Sequence, residues 1–166
     1  MAAVTNKPSL VERGALRFLI IDRPSDLNLE AYLREFKANG VCDLARACES
    51  DQHYSRARVE ATGVRVHDVA FEDGEPPPKA VITAWLKLCG EAFKKGNAER
   101  RAVAVHCVAG LGRAPVLVAI ALIEDGMEPM DAVAAIRAQR RHAINQRQLN
   151  YLQHVYEKQR GACAVM

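Results

Sequence analysis

The chain has no apolar run long enough to cross a bilayer, and its opening, MAAVTNKPSLVERG, has no hydrophobic segment of the kind that begins a secretory signal. The cytosolic side is therefore the expected compartment. Aromatic residues are scarce, at 5% with one tryptophan, and no basic stripe interleaved with aromatics occurs, which excludes a nucleic-acid reader. Cys42, Cys48, Cys89, Cys107 and Cys163 show neither the pairing pattern of a disulfide framework nor the spacing of a zinc site. Separate thiols are expected, with no metal and no other cofactor. The formal net charge of +3 is modest and suits attraction to phosphorylated or anionic surfaces.

What is present has the composition of a globular protein, 49% hydrophobic and 26% charged. Leu16 to Ile21 reads as a strand closed by Asp22-Arg23-Pro24. Leu29, Tyr32, Leu33 and Phe36 recur at helical spacing, with Asn28 as N-cap and Gly40 as the residue after the last turn. Val41 to Ala45 reads as a buried strand, Ala45 to Ala61 as charged and turn-like, and Val64 to Val69 as another strand. An acidic loop, Ala70 to Pro78, precedes an amphipathic helix marked by Val81, Ile82, Trp85, Leu86 and Phe93 and ending near Gly96. Trp85 is expected in the core. Pro129 opens a later helix with Met130, Val133 and Ile136 inside and Arg137, Arg140 and Arg141 outside, as a solvated face first and a contact to an anionic membrane or phosphorylated substrate second. Asn145 caps a last helix whose apolar face is Leu149, Leu152, Val155 and Tyr156. The alternation of strand and helix predicts an α/β fold, with a central, mostly parallel sheet and helices on both faces.

The chemistry concentrates between Ala102 and Ile123, AVAVHCVAGLGRAPVLVAIALI. A β-branched apolar run leads into a glycine-containing loop and then into an apolar run too long for one strand, which is the order strand, loop, helix. Gly110 and Gly112 let the loop curl so that the N–H groups of Val108, Ala109, Gly110, Leu111 and Gly112 turn inward. Closed by a helix N-terminus, such a concavity binds an anion. The same dipoles and the Arg113 cation favour the thiolate of Cys107, a nucleophile at the base of a phosphate cradle. The planar fork of Arg113 can hold two oxygens of a phosphoryl group in transfer. Phosphoryl transfer to cysteine is the expected reaction. His106 is expected to orient the loop or support the thiolate and not to ligate metal, because no other His, Cys or carboxylate lies at ligand spacing around it.

HCVAGLGRAP from His106, followed by VLVAIALIEDGM, resembles the signature of the phosphatases of regenerating liver, the prenylated branch of the dual-specificity-type protein tyrosine phosphatases. RFLI at Arg17 to Ile20, ACE at Ala47 to Glu49, FEDG at Phe71 to Gly74, Trp85-Leu86 and the final CAVM extend the likeness over most of the chain. Residues 1–14, polar and broken by Pro8, read as a flexible arm, and the resemblance implies one cysteine-phosphatase domain over 15–160 and a prenylation tail over 161–166. It implies Cys107 as nucleophile, Arg113 as phosphate clamp and Asp73 as the general acid on a lid-like loop, with Glu72 its neighbour and competitor. Cys48 matches the family's resolving cysteine, which traps the oxidised nucleophile as a reversible disulfide. Ala114 stands where most cysteine phosphatases carry Ser or Thr, which implies a slow breakdown of phosphocysteine. Two departures stand out: Val69-Ala70 replace the family's Trp-Pro, and only Lys158 and Arg160 lie close before the tail in place of a longer basic stretch.

Cys163-Ala164-Val165-Met166 reads as a farnesylation box. One lipid gives marginal affinity, so the expected location is the cytoplasmic face of plasma or endosomal membranes, with a cytosolic pool and oligomerisation open on the membrane. Phosphoproteins are the expected substrates, phosphotyrosine first and phosphoserine or phosphothreonine second. The alternative from another class is a low-turnover binding module for CBS-domain magnesium transport mediators, which family members grip through the active-site face. Sulfur transfer on a rhodanese-like loop is a third reading, and it leaves the acidic loop without a role.

Overall fold

The computed structural model describes residues 2–95 and 99–158. Among these residues five strands form one sheet: β1 (Ser9–Arg13), β2 (Leu16–Ile21), β3 (Val41–Arg46), β4 (Arg65–Asp68) and β5 (Ala102–His106), in the order β1-β2-β5-β3-β4. Only β1 runs antiparallel to its neighbour; β2, β5, β3 and β4 pair in parallel. The helices are α1 (Leu29–Asn39), α2 (Arg56–Glu60), α3 (Lys79–Ala92), α4 (Arg113–Glu124), α5 (Pro129–Gln139) and α6 (Gln146–Asn150), the last running into a single π-helical turn, Tyr151–Val155. The expected fold class holds.

The central strands separate two cores because successive side chains point to opposite faces. Phe18, Ile20, Val103 and Val105 pack with Trp85, Leu117 and Ile120 of α3 and α4. Leu19, Ile21, Ala102 and Ala104 pack with Leu29, Tyr32 and Phe36 of α1. Burial on both faces explains why β5 is apolar without alternation. Helix α4 is buried from Ala114 to Glu124, and each fully buried Val, Leu or Ile there contributes about 1.5–3 kcal/mol. Trp85 lies in the core, with its indole N–H donating to the Leu117 carbonyl at 2.7 Å. Strand β5 thus ends at the middle of the sheet's carboxyl edge, where ligands of open α/β sheets collect.

Four local expectations are corrected. The arm expected over residues 1–14 contains β1: Ser9 and Val11 are buried, and Gly14 at φ +55° turns the chain back onto β2. The turn-like stretch before β4 holds α2, started by Ser55, whose hydroxyl accepts from the Arg58 N–H. Helix α3 begins directly after Pro78 and ends at Ala92, short of Gly96. In the last helix Leu149 and Leu152 are buried, while Val155 is 65% exposed. A π turn advances less per residue than an α turn, so the α-helical spacing that aligned 149, 152 and 155 no longer holds.

Candidate active site

The loop from Cys107 to Gly112 joins β5 to α4, and its backbone is held from outside at every carbonyl from Cys107 to Leu111. The His106 Nδ1–H donates to the Cys107 carbonyl at 3.0 Å, the Arg23 N–H to Val108 at 2.9 Å and the Ile144 N–H to Leu111 at 2.8 Å. Arg140 takes the two between, with one terminal nitrogen on Ala109 and Nε on Gly110, each at 2.9 Å. With the carbonyls drawn outward the amides face the other way. Among the described residues, no N–H from Val108 to Gly112 donates to a protein acceptor. That is the electrostatic signature of an anion nest closed by the first turn of α4.

Gly110 is required here. It sits at φ +68°, and a Cβ would stand 2.6 Å from an Arg140 nitrogen and 2.8 Å from the Ile21 carbonyl oxygen. Arg140 itself is corrected from the solvated face to the interior. It is 6% exposed, pairs with the Asp22 carboxylate at 2.5 Å, and also donates to the Ile20 carbonyl and the Ser9 hydroxyl. Asn6 donates to the other Asp22 oxygen at 2.7 Å, so the N-terminal segment, β2 and α5 meet under the loop. Arg137 is also engaged, donating to the carbonyls of Ala143 and Ile144 and holding the turn whose Ile144 N–H reaches Leu111. One pattern could have revealed Arg140: it follows Val133 by seven residues and Ile136 by four, which is the buried face of α5.

His106 is fully buried and hydrogen-bonds on both ring nitrogens, Nδ1 to the Cys107 carbonyl and Nε2 to the Tyr54 hydroxyl at 2.7 Å. A carbonyl only accepts, so the proton lies on Nδ1, and Nε2 accepts from Tyr54. Burial lowers the His106 pKa to about 4 and keeps the ring neutral. Burial likewise raises the pKa of the Tyr54 phenol, which stays protonated. Arg46, buried behind Tyr54 and 5.9 Å from its ring centroid, pairs with Asp68 and Asp51. The Cys48 thiol lies 3.9 Å from His106 Nδ1, and both Cys48 and Cys107 are buried, free thiols.

Arg113 opens α4 with its side chain turned to the acidic loop. One terminal nitrogen donates to the Phe71 carbonyl at 3.3 Å, and Nε lies 3.6 Å from Asp73 Oδ1, too long for a hydrogen bond. The Asp73 side chain is 81% exposed, so this pair is screened by solvent and leaves Arg113 available to an anion. Glu72 is exposed and lines a cleft of about 490 Å³ with Arg23, Cys48, Phe71, Val108 and Arg113. Val108 lines this cleft partly exposed, Leu111 is partly exposed elsewhere on the same loop, and Ala114 is buried behind Arg113. The structure thus gathers His106, Cys48, Glu72, Asp73 and Arg113 around the loop that begins at Cys107. Sequence reasoning missed Arg23, Tyr54, Arg140 and Ile144, all contributed from other segments. Cys163 lies outside the described residues.

Comparison with known proteins agrees with this arrangement. Residues 51–157 match the Y_phosphatase, protein-tyrosine phosphatase, family model. The chain is 49% identical over 165 residues to a probable protein tyrosine phosphatase type IVA A of Dictyostelium discoideum, covering 99% of this chain and 97% of that one. It is 46% identical over 153 residues to the PRL-1 phosphatase of Drosophila melanogaster, covering 92% and 85%. A solved protein tyrosine phosphatase from Leishmania major superposes with a TM-score of 0.80 at 37% identity, over 92% of this chain and all of that one. The chain belongs to the type IVA, or PRL, family of protein tyrosine phosphatases.

Proposed function

We propose that the protein hydrolyses phosphotyrosine on protein substrates, with phosphoserine or phosphothreonine as secondary substrates, through a phosphocysteine intermediate on Cys107. The observation that carries this reading is the loop whose carbonyls from Cys107 to Leu111 are all bound outward, leaving its amides and Arg113 around a cysteine. The Cys107 thiolate attacks phosphorus, and the substrate oxygen leaves with a proton from Asp73. The amides of Val108 to Gly112 and the Arg113 fork carry the charge of the three equatorial oxygens. Asp73 then takes a proton from water, whose oxygen attacks phosphorus and expels the thiolate with inorganic phosphate. At position 114 no hydroxyl is present to assist that departure, so the second step is slow.

Cys48 lines the same cleft as Arg113 and supports redox control. A peroxide oxidises the Cys107 thiolate to sulfenic acid, and the Cys48 thiol displaces water from it to form a disulfide. Peroxide should lower the intact mass by two hydrogens in the wild type and not in Cys48→Ser. Farnesylation at Cys163 would place the enzyme on the cytoplasmic face of membranes. The second reading, a docking face for CBS-domain magnesium transport mediators, is favoured by the 49% and 39% exposure of Val108 and Leu111 on the catalytic loop.

Rapid mixing of reduced protein with an aryl phosphate, followed by quenched intact mass, tests the first reading. A stoichiometric burst and a phosphorylated Cys107, both absent in Cys107→Ser, are expected. No burst and no adduct in folded, reduced protein would leave the loop as a docking surface only. Asp73→Ala and Glu72→Ala on a poor leaving group separate the two acids: only the former should lose turnover, by roughly 10²-fold or more.

A further inference from the structure

A second concavity, of about 600 Å³, adjoins the cleft. One wall is the acidic loop itself, Gly74 to Pro76, directly after Asp73; the other is α6 and the π turn, with Val116 from α4 also contributing. Gln148 belongs to the groove and also abuts the catalytic loop, since a Cβ on Gly112 would stand 2.9 Å from its Nε2. The glycine thus admits the Gln148 amide against the loop, and cleft and groove meet instead along the acidic loop, where Glu72 lines the one and Gly74 the other. The side of the groove is apolar where the π turn presents Val155, 65% exposed, next to half-buried Tyr151. Single π turns occur frequently at functional sites. Across the mouth, Arg147 pairs with Glu75 at 3.7 Å, with side-chain exposures of 73% and 53%. A pair so exposed is weak and yields readily to another partner.

We propose that this groove receives an apolar side chain of a phosphopeptide substrate, next to the phosphorylated residue, and gives the enzyme a preference for phosphosites with a hydrophobic neighbour. The inference rests on the phosphatase reading for the position of the phosphoryl group. The occupant follows from continuity. A peptide whose phosphate lies in the cradle extends about 3.3 Å per residue, so its adjacent residues leave the cleft along the acidic loop, past Asp73 and Gly74, and reach the groove lined by Tyr151 and Val155 within a few positions. The polar rim of Arg147, Glu75 and Gln148 supplies partners for the peptide backbone and not a charge of one sign. A whole aliphatic side chain in a pocket open on one side should be worth about ten-fold in specificity, the low end of what enclosed pockets give for one methylene.

The test uses phosphotyrosyl peptides that differ only by Leu or Gly at each position from three before to three after the phosphoresidue. Affinity is read on full-length Cys107→Ser protein and kcat/KM on the wild type, with a small aryl phosphate as reference. Leu at one or two positions should improve both by about ten-fold, and V155D should erase that preference by lowering the ratio of peptide to aryl phosphate kcat/KM. Equal use of all peptides, or a preference that survives V155D, overturns the proposal. Sedimentation in which V155D turns an associated protein into monomers overturns it too, by assigning the groove to a second copy. Peptide affinity that follows Leu in the absence of any turnover keeps the groove and removes the catalytic reading; turnover without preference does the reverse.

Discussion

Two buried carboxylates, Asp22 and Asp43, are built from the same parts and tie different things together. Asp22 lies just past the carboxyl end of β2, 9% exposed, and binds Arg140 and Asn6. Asp43 lies near the start of β3, 2% exposed, and takes two hydrogen bonds from Arg65, at 2.8 and 3.0 Å, and one from His67 at 2.7 Å. Arg65 and His67 both belong to β4, the neighbouring strand, so the Asp43 cluster only stitches the sheet edge to itself. Arg140 comes from the end of α5, 118 residues away, and spends its remaining donors on the catalytic loop. A buried ion pair is weak support for stability, because desolvation offsets most of its attraction. What distinguishes the two is where the leftover hydrogen bonds go.

Removing Arg140 should have the largest effect and break the comparison most directly. R140M keeps the volume but leaves Asp22 buried with Asn6 alone and frees the carbonyls of Ala109 and Gly110. Loss of one partner of a buried pair costs about 3–5 kcal/mol, read by denaturant unfolding. Two amides of the nest then lose their fixed direction, and kcat on an aryl phosphate should fall by about 10²-fold or more, as for displacements of order 1 Å. An R140M protein that is destabilised yet turns over normally would make the two clusters equivalent.

How legible this was follows from how far each contact reaches in sequence. His106 to Arg113 was readable because a nucleophile, its glycines and its clamp are contiguous, and an anion nest needs little else. The flanking strand and helix were readable because burial on both faces of β5 demands an unbroken apolar run. The outward ties on the loop were not, since Arg23, Tyr54, Arg140 and Ile144 meet only after the chain has folded. Arg140 was placed outside because a charged residue is rarely buried unless paired, and its pair is remote. The hairpin of β1 was hidden by its shortness and by Pro8, and the outward turn of Val155 by a π turn that has no periodic mark.

His106 sharpens the comparison through pH. Its pKa is near 4 in the fold against an ordinary 6.5, so between these values the unfolded chain binds more protons than the folded one. Stability is therefore intact above about pH 6.5 and is lost as pH falls toward 4, by roughly 3 kcal/mol in all. H106N should remove that slope. Asp43 works at lower pH: burial pushes its carboxyl up, but hydrogen bonds from His67, Arg65 and Cys42 outweigh this and hold it well below the usual range. Its contribution is present above the ordinary carboxylate value and is lost as pH falls below it. D43N should cost about 2 kcal/mol at neutral pH and flatten the acid limb, with kcat unchanged. A fall in kcat at full folding would show that the sheet edge also feeds the site.

The smallest expected effect comes from a pair that shares the charge but not the burial. Arg13 at the end of β1 binds Asp125 after α4 at 2.9 Å, with side-chain exposures of 40% and 32%. Like the Arg140 cluster it joins the N-terminal hairpin to a distant helix, so it controls for span. Water competes for both groups, and R13A should change stability by about 0.5 kcal/mol or less and leave kcat alone. If R13A instead approached the loss in R140M, tethering of the hairpin would be the common cause. The outward hydrogen bonds on the catalytic loop would then be a consequence of that tether rather than the reason the arginine is buried.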